Sequence, residues 1–312
     1  MEATSLVFFA NVVDAGSFAA ASRQMGLDRS SVSRRVNELE QELGSQLLRR
    51  TTRSMELTEA GAFFYERCCL VRAEVDYAQK AMWDLSGSVR GTVTLSCPPM
   101  LAREVVAPLT VDFCSQYPMV DLKLILKNHV PDFPGKKVDI SLQITDSPAP
   151  SVVARKLASV HWLICGSPAY LYDKAEPSSP SELARLDWVD QYIRDFLELD
   201  GDAGVERVKI RTRLECIDLT LLRRALTEGL GVGVLPDYVA QSALKAGRLR
   251  RLMADYTVQG TPGTTLYAIT PPTRYMPAKV KVLLDFIVRA FDGSGGSLAA
   301  VAERYAERET AI

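Results

Sequence analysis

The residues with the most evident chemistry in this 312-residue chain stand near its start. Arg29, Arg34, Arg35, Arg49, Arg50 and Arg53 crowd one short stretch, and no lysine occurs before Lys80. A planar guanidinium matches phosphate oxygens and the paired acceptors of guanine better than an ammonium does, so an all-arginine cluster suits double-stranded DNA. The formal net charge is −1, so any such field is local rather than global. Ser30, Ser31 and Ser33 lie among the arginines and are small enough to allow close approach. Other chemistry is sparse. His129 and His161 stand alone, and the six cysteines form no C-x-x-C pair or zinc-like cluster, so no metal or cofactor is expected and the thiols read as reduced. There is no G-x-S-x-G and no phosphate-binding glycine loop; "GLGVG" (229–233) follows a helical pattern and reads as a strand, the wrong context for a nucleotide. No apolar run approaches the roughly 20 residues that span a bilayer, and the N-terminus lacks a signal-peptide pattern, which makes a cytoplasmic protein the expectation.

The elements that must hold the arginines are legible. Leu6, Phe9, Ala10 and Val13 repeat as one helical face. Gly16 breaks it, Ser17 caps a second short helix carrying Phe18, Ala21 and Met25, and Gly26 ends that one. Asp28 caps a third helix from Arg29, with Val32, Val36, Leu39 and Leu43 on one side and Arg29, Ser30, Ser33 and Arg34 on others. Two helices joined by a glycine turn, the second with a polar first turn, form a helix-turn-helix pattern, and free N–H groups at that turn suit phosphate. "QLLRRTTRSMELTEAG" then predicts a hairpin wing: strand 46–48, an arginine-rich tip 49–54, strand 55–57.

The stretch from "FFANVVDAGSFAAASRQMGL" through "SVSRRVNELEQELG", "LLRRT" and "LTEAG" resembles the winged helix-turn-helix of LysR-type transcriptional regulators over about sixty residues. The resemblance implies a DNA-binding domain at 1–58. Arg29, Ser30, Ser31, Ser33 and Arg34 would meet the major groove, and Arg49, Arg50, Thr51 and Arg53 phosphates or a minor groove. Members often begin the recognition helix Ser-Gln-Pro or Ser-Gln-Ser; this chain has Asp28-Arg29-Ser30, which puts the base preference at Arg29 in question.

A long helix at 59–88 follows. Phe64, Cys68, Val71, Val75, Ala78, Met82 and Leu85 are spaced by four and three, a heptad seam, and a helix from Glu59 to Ser86 is about 42 Å long. Such a seam needs a partner, most simply a second copy, and a dimer fits an interrupted palindromic promoter site. The resemblance extends this to a tetramer and names RNA polymerase as a further candidate partner.

From Gly91 strands alternate with helices, the pattern of an α/β sheet. Its order resembles the LysR effector domain, a two-lobed, periplasmic-binding-protein-like α/β fold, here 91–291, with lobe 1 at 91–160 plus 265–291 and lobe 2 at 161–264. The overall fold class is therefore α/β with an α-rich N-terminal domain. Open α/β sheets bind ligands beyond the carboxyl ends of strands. That rule selects Ser96, Cys97, Pro98 and Met100 after the first strand, Gln143 and Thr145 after the third, and Gln191 and Asp218 from the other lobe as the lining of a small-molecule effector site. N–H groups near Met100 suit a carboxylate, whereas Asp218 disfavours some anions, so the effector's identity stays open. A two-lobed enzyme or a solute-binding protein is the rival reading; it lacks a catalytic motif and does not account for the N-terminal module. Residues 292–312 begin with "DGSGGS" and are expected to form a flexible tail, with a short helix from Leu298 to Arg308 as the alternative.

Overall fold

The computed structural model describes residues 2–50, 55–84, 89–128, 138–174, 176–191, 195–273, 275–292 and 295–309, with the backbone alone at 50, 76–84 and 307–309. Two compact units emerge, one built on 1–89 together with 275–278 and the other on the rest of the described chain from Arg90.

The first unit runs α1 (Ala3–Asp14), α2 (Phe18–Met25), α3 (Arg29–Leu43), β1 (Leu48–Arg50), β2 (Met55–Leu57) and α4 (Glu59–Asp84). Local signals fix its turns. The Ala20 N–H donates to Ser17 Oγ at 3.1 Å, Gly26 closes α2 at φ 65°, and the Ser31 N–H donates to Asp28 Oδ1 at 2.8 Å. Phe9, Ala10, Val12, Ala21, Val32, Val36 and Leu48 are fully buried together; of these the helical periodicity selected Phe9, Ala10, Ala21, Val32 and Val36, while Leu6 and Val13, which it also selected, are half-buried. Glu40 holds the wing to this core: its Oε1 accepts the N–H of Leu47 at 2.7 Å and of Leu48 at 3.0 Å. β1 pairs with β2 in the register Leu48↔Leu57, Arg49↔Glu56, Arg50↔Met55. The strand thus lies two residues later than 46–48, because Glu40 and the bond from Thr58 Oγ1 to the Gln46 carbonyl (2.7 Å) hold the chain before Leu48 in the corner. Gly61, in the first turn of α4, lies so close to β1 that a Cβ there would sit 2.0 Å from the Leu47 carbonyl oxygen. Farther along α4, Arg72 Nη1 donates to Asn11 Oδ1 at 2.8 Å and to Asp14 Oδ2 at 2.7 Å, and the Tyr65 hydroxyl also donates to Asp14.

The second unit contains two lobes. Lobe 1 opens with β3 (Gly91–Cys97), α5 (Pro99–Leu101), a π turn (Ala102–Val106), α6 (Ala107–Gln116), β4 (Val120–Leu126), β5 (Ile140–Ile144) and β6 (Val153–Ser159). The π turn has a local cause. Pro108 has no N–H for the Glu104 carbonyl, and the Ala107 N–H reaches back to Ala102 instead. Lobe 2 holds β7 (Trp162–Gly166), α7 (Pro168–Leu171), a 3-10 turn (Pro180–Arg185), β8 (Asp187–Asp190), β9 (Phe196–Gly201), β10 (Gly204–Lys209), β11 (Arg211–Glu215), α8 (Leu219–Thr227), β12 (Val232–Pro236), α9 (Asp237–Lys245), β13 (Arg250–Leu252) and β14 (Thr257–Val258). The chain then returns to lobe 1 as β15 (Thr265–Thr270) and ends in α10 (Ala278–Phe291) and α11 (Leu298–Glu309). The lobe 1 sheet has the order β4-β3-β5-β15-β6 and the lobe 2 sheet β11-β8-β12-β7-β13; β10-β9-β14 form a smaller sheet. The "GLGVG" glycines serve packing: a Cβ at Gly231 or Gly233 would meet the carbonyl oxygen of Asp187 at 2.4 Å or of Val189 at 2.2 Å.

The stretch "RVKIRTRLE" (207–215) has the alternation of one strand but is divided between two. Its first part pairs with β9 as a hairpin and its second with β8, and the chain changes sheets at Ile210, whose N–H bonds to the Asp195 carbonyl at 2.9 Å. Nor, against expectation, do the described residues 295–309 form a free tail. Leu298, Val301, Ala302 and Tyr305, spaced along one face of α11, are all buried. The helix packs on α9 of lobe 2 and on the π turn of lobe 1. Glu303 pairs with Lys245 and accepts from Gln241 Nε2 at 3.1 Å, and the Ser159 N–H bonds to the Gly296 carbonyl.

Two outcomes in equilibrium unfolding follow. Leu298→Ala, at a fully buried position, costs about 2–5 kcal/mol; a detached tail would show no change. Gly61→Ala pushes a methyl into the backbone of Leu47 and costs about 1–3 kcal/mol, and an unchanged midpoint would show that this contact is not tight.

Candidate functional site

The basic surface of the first unit is built on α3. Its buried face (Val32, Val36, Leu39) anchors it, which leaves Arg29, Ser30 and Arg34 exposed and Ser31 and Ser33 half-buried. Not all of these groups face outward with open chemistry. Asp28 gathers the start of the helix: the Ser31 hydroxyl donates to Asp28 Oδ2 at 2.6 Å, and the Ser30 hydroxyl donates to Oδ1. Those hydroxyl bonds and the Ser31 N–H hold the Asp28 carboxyl well below the usual carboxylate range. The first-turn N–H group expected to face phosphate is therefore already met by a carboxylate, and Ser31 is part of the cap. Arg35 lies over the Phe8 ring, 5.3 Å from its centroid, and Arg34 pairs loosely with Glu38 at 3.8 Å. Arg49 is exposed on β1; Arg50 is on the same strand, while Thr51 and Arg53 lie outside the described residues.

The proposed seam of α4 divides. Phe64 packs on Phe9, with ring centroids 5.5 Å apart, and Cys68 is fully buried in the same core. Phe64 is thus half-buried against its own unit: α4 lies over α1 as far as Arg72, which bonds to Asn11 and Asp14, and the chain itself covers part of the heptad face there. Val71 and Val75 are half-buried, and the side chains of Ala78, Met82 and Leu85 lie outside the described residues. The large exposed apolar residues on the described part of α4 are Phe63 and Leu70.

In the second unit a cleft of about 330 Å³ lies between the lobes. Pro98, Met100, Gln143 and Thr145 line it from lobe 1, and Gln191 and Asp218 from lobe 2, as the strand-end rule expects. Ser96 and Cys97 do not. They are 2 % and 1 % exposed, and the wall begins one residue later, at Pro98. Burial pushes the thiols of Cys97 and Cys165 up to about 12, so both stay protonated and unreactive at neutral pH. The rule also had more to offer. β4 ends at Leu126, and the next two residues, Lys127 and Asn128, line the cleft, the former held by its N–H bond to the Cys97 carbonyl (3.0 Å). Ser141, Trp162 and Tyr238 complete the polar and aromatic lining. Trp162 is oriented by its indole N–H, which donates to the Gly263 carbonyl at 2.7 Å, and Tyr238 is 2 % exposed at the start of α9. Asp218 caps α8, accepting the Leu221 N–H at 2.9 Å; that bond, with smaller help from Thr220 and Arg103, lowers its pKa and keeps it ionised.

The lobes also touch beside the cleft. Arg103 Nη1 in the π turn donates to Thr220 Oγ1 at 2.7 Å, and Arg223 Nη1 in α8 donates to Glu104 Oε1 at 2.8 Å and to the Val239 carbonyl at 3.2 Å. Among the described residues no group of histidine, cysteine and carboxylate side chains could hold a metal ion, and no helix is long and apolar enough to cross a membrane.

Known proteins match both units. The model described as "Bacterial regulatory helix-turn-helix protein, lysR family" matches residues 4–62, and "LysR substrate binding domain" matches 86–292. An HTH-type transcriptional regulator of Xanthomonas campestris pv. campestris is 33 % identical over 289 residues, covering 90 % of this chain and 83 % of that protein. The full-length virulence activator AphB of Vibrio cholerae superposes with a TM-score of 0.60 at 26 % identity, covering 93 % of this chain and 99 % of that one. CrgA of Neisseria meningitidis gives 0.59 at 27 % identity, covering 94 % and 100 %. A helix-turn-helix with a paired wing, followed by a two-lobed α/β unit with a cleft at its strand ends, and both family models in that order, have one reading: the chain belongs to the LysR family of transcriptional regulators.

Proposed function

We propose that this regulator binds an interrupted palindrome in double-stranded DNA as a dimer, pairs further into a tetramer, and answers to a small molecule held in the lobe 2–lobe 1 cleft. Arg29, Ser30, Ser33 and Arg34 read or abut the major groove, and Arg49, Arg50, Thr51 and Arg53 hold phosphates or a minor groove. The protein works in the cytoplasm, where promoter DNA and RNA polymerase are its partners. The observation that carries the reading is α3: a helix pinned by three buried residues and leaving Arg29 and Arg34 exposed on its first two turns. The hydroxyls of Ser30 and Ser31 spend their protons on Asp28, so toward DNA they can only accept. Arg29 then carries most of the base discrimination. Dimerisation runs along the α4 seam of Phe64, Val71, Val75, Ala78, Met82 and Leu85, chiefly beyond Cys68, where Val71 and Val75 are half-buried and Leu70 is exposed beside them. Effector binding biases DNA affinity through its preference for one setting of the two lobes over another.

Fluorescence-anisotropy titrations across several salt concentrations separate the two kinds of contact. Arg29→Ala weakens binding by about 1–3 kcal/mol and changes the preferred sequence. Arg49→Ala weakens all sequences alike and lowers the salt slope by about 1. Unchanged affinity in both variants would remove this surface from the interface. In the same protein, aspartate at both Val71 and Val75 places charges in the paired seam and yields monomers by light scattering; an unaltered assembly would put the dimer contact elsewhere.

A further inference from the structure

The two walls of the cleft carry opposite charges. Among the described residues that line it, Lys127 is the one cation and stands on lobe 1, and Asp218 is the one carboxylate and stands on lobe 2. Both are fixed at the backbone: Lys127 through its N–H bond to the Cys97 carbonyl at 3.0 Å, Asp218 as the cap of α8. No carboxylate among the described residues pairs with the Lys127 ammonium. Arg103 lies near Asp218 and favours its charged form, but its guanidinium is directed to Thr220 Oγ1 and is not part of the lining. The side chains of Gln143 and Gln191 also line the cleft. Tyr238 lines it too; its side chain is 2 % exposed and its hydroxyl has no hydrogen-bond partner among the described residues. At about 330 Å³ the space sits near the lower end of the ~300–1,000 Å³ usual for ligand pockets, so it admits one small metabolite.

This polarity restricts which ligand can act as a switch. A molecule that touches one lobe alone has the same affinity whatever the setting of the other, and it shifts nothing. A bare carboxylate gains from Lys127 but is pressed toward Asp218 as the lobes approach. A bare amine meets the reverse conflict. A molecule with an anion at one end and a cation at the other gains from both walls together, and only when both are near. From this we infer that the cleft takes a small amino carboxylic acid as its zwitterion, with the carboxylate on Lys127, the ammonium on Asp218, and a hydrogen-bonding group toward Tyr238. The inference rests on reading the cleft as the effector site.

The test is calorimetry on the full chain with a panel of probes in matched sets: the proteinogenic amino acids, their deaminated carboxylic acids and their decarboxylated amines. At least one amino acid is expected to bind at least tenfold more tightly than its matched acid and its matched amine. Lys127→Gln should weaken that amino acid tenfold or more. Asp218→Asn keeps a capping side chain on α8, so the fold persists, and it should bring the deaminated acid level with the amino acid. A parent protein that binds an acid or an amine as tightly as its amino acid, an Asp218→Asn variant that keeps the full preference, or a panel with no binder would each overturn the zwitterion. The effector reading fails differently: a probe that changes DNA affinity as much in Thr145→Trp, whose side chain fills the cleft, as in the parent acts at another site. A bare acid that acts in the parent and is silent in Thr145→Trp overturns the zwitterion while leaving the cleft as the effector site.

Discussion

Everything in the second unit depends on two short crossings being tied to each other. The chain leaves lobe 1 at Ser159 and returns at Thr264, and the Val160 N–H donates to the Thr264 carbonyl at 2.7 Å. Beside it, the Asp146 carboxylate accepts both the N–H and the hydroxyl of Thr264 at 2.7 Å. The Asp237 N–H donates to the His161 carbonyl, also at 2.7 Å. β15 can then complete the lobe 1 sheet, pairing antiparallel with β5 and β6 although all of lobe 2 intervenes in the chain. A cleft between strand ends exists because this return puts the ends of β3, β4 and β5 opposite the starts of α8 and α9.

A pair of crossings joined by hydrogen bonds is a natural place for small rotations of one lobe against the other. What opposes or favours such a rotation is also visible. Arg223 spans to Glu104, Arg103 spans to Thr220, and α11 lies on both α9 and the π turn. The π turn recurs in each of these contacts. Its extra residue, set by Pro108, directs Arg103 and Glu104 toward lobe 2 and leaves Val105 and Val106 buried. α11 lies beyond residue 292, where the match to the family model ends.

In the first unit the same economy of polar groups governs the basic surface. Glu40 spends one carboxylate oxygen on two N–H groups of the wing, and Asp28 collects three donors at the start of α3. An acidic residue at the head of a helix that exposes arginines looks costly, yet it satisfies donors that would otherwise be unpaired. It also places a fixed negative charge between Arg29 and Leu27, which narrows where a phosphate can sit.

Much was determined by local sequence. Capping serine and aspartate, glycines at left-handed positions and the buried periodicity of α1 to α3 act within a few residues, so the helix-turn-helix was legible down to its caps. Strand ends were legible too, which is why six of the eight cleft residues expected from sequence line it. The failures had particular causes. Ser96 and Cys97 end a strand whose last side chains are packed within lobe 1, and whether such a side chain faces the cleft or the core is decided by the neighbouring strand, not by its own spacing. Phe64 has the right heptad position, yet the winged unit claims that face first through Phe9. The apolar stripe of Leu298, Val301, Ala302 and Tyr305 was present in the sequence, but a stripe states only that a helix must be covered. Only the tertiary structure supplied the cover, α9 and the π turn, because both belong to segments distant in sequence whose meeting depends on the tied crossings. The opposition of Lys127 and Asp218 arises in the same way: each charge was readable, and their placement across one cleft came from the return of β15 to lobe 1.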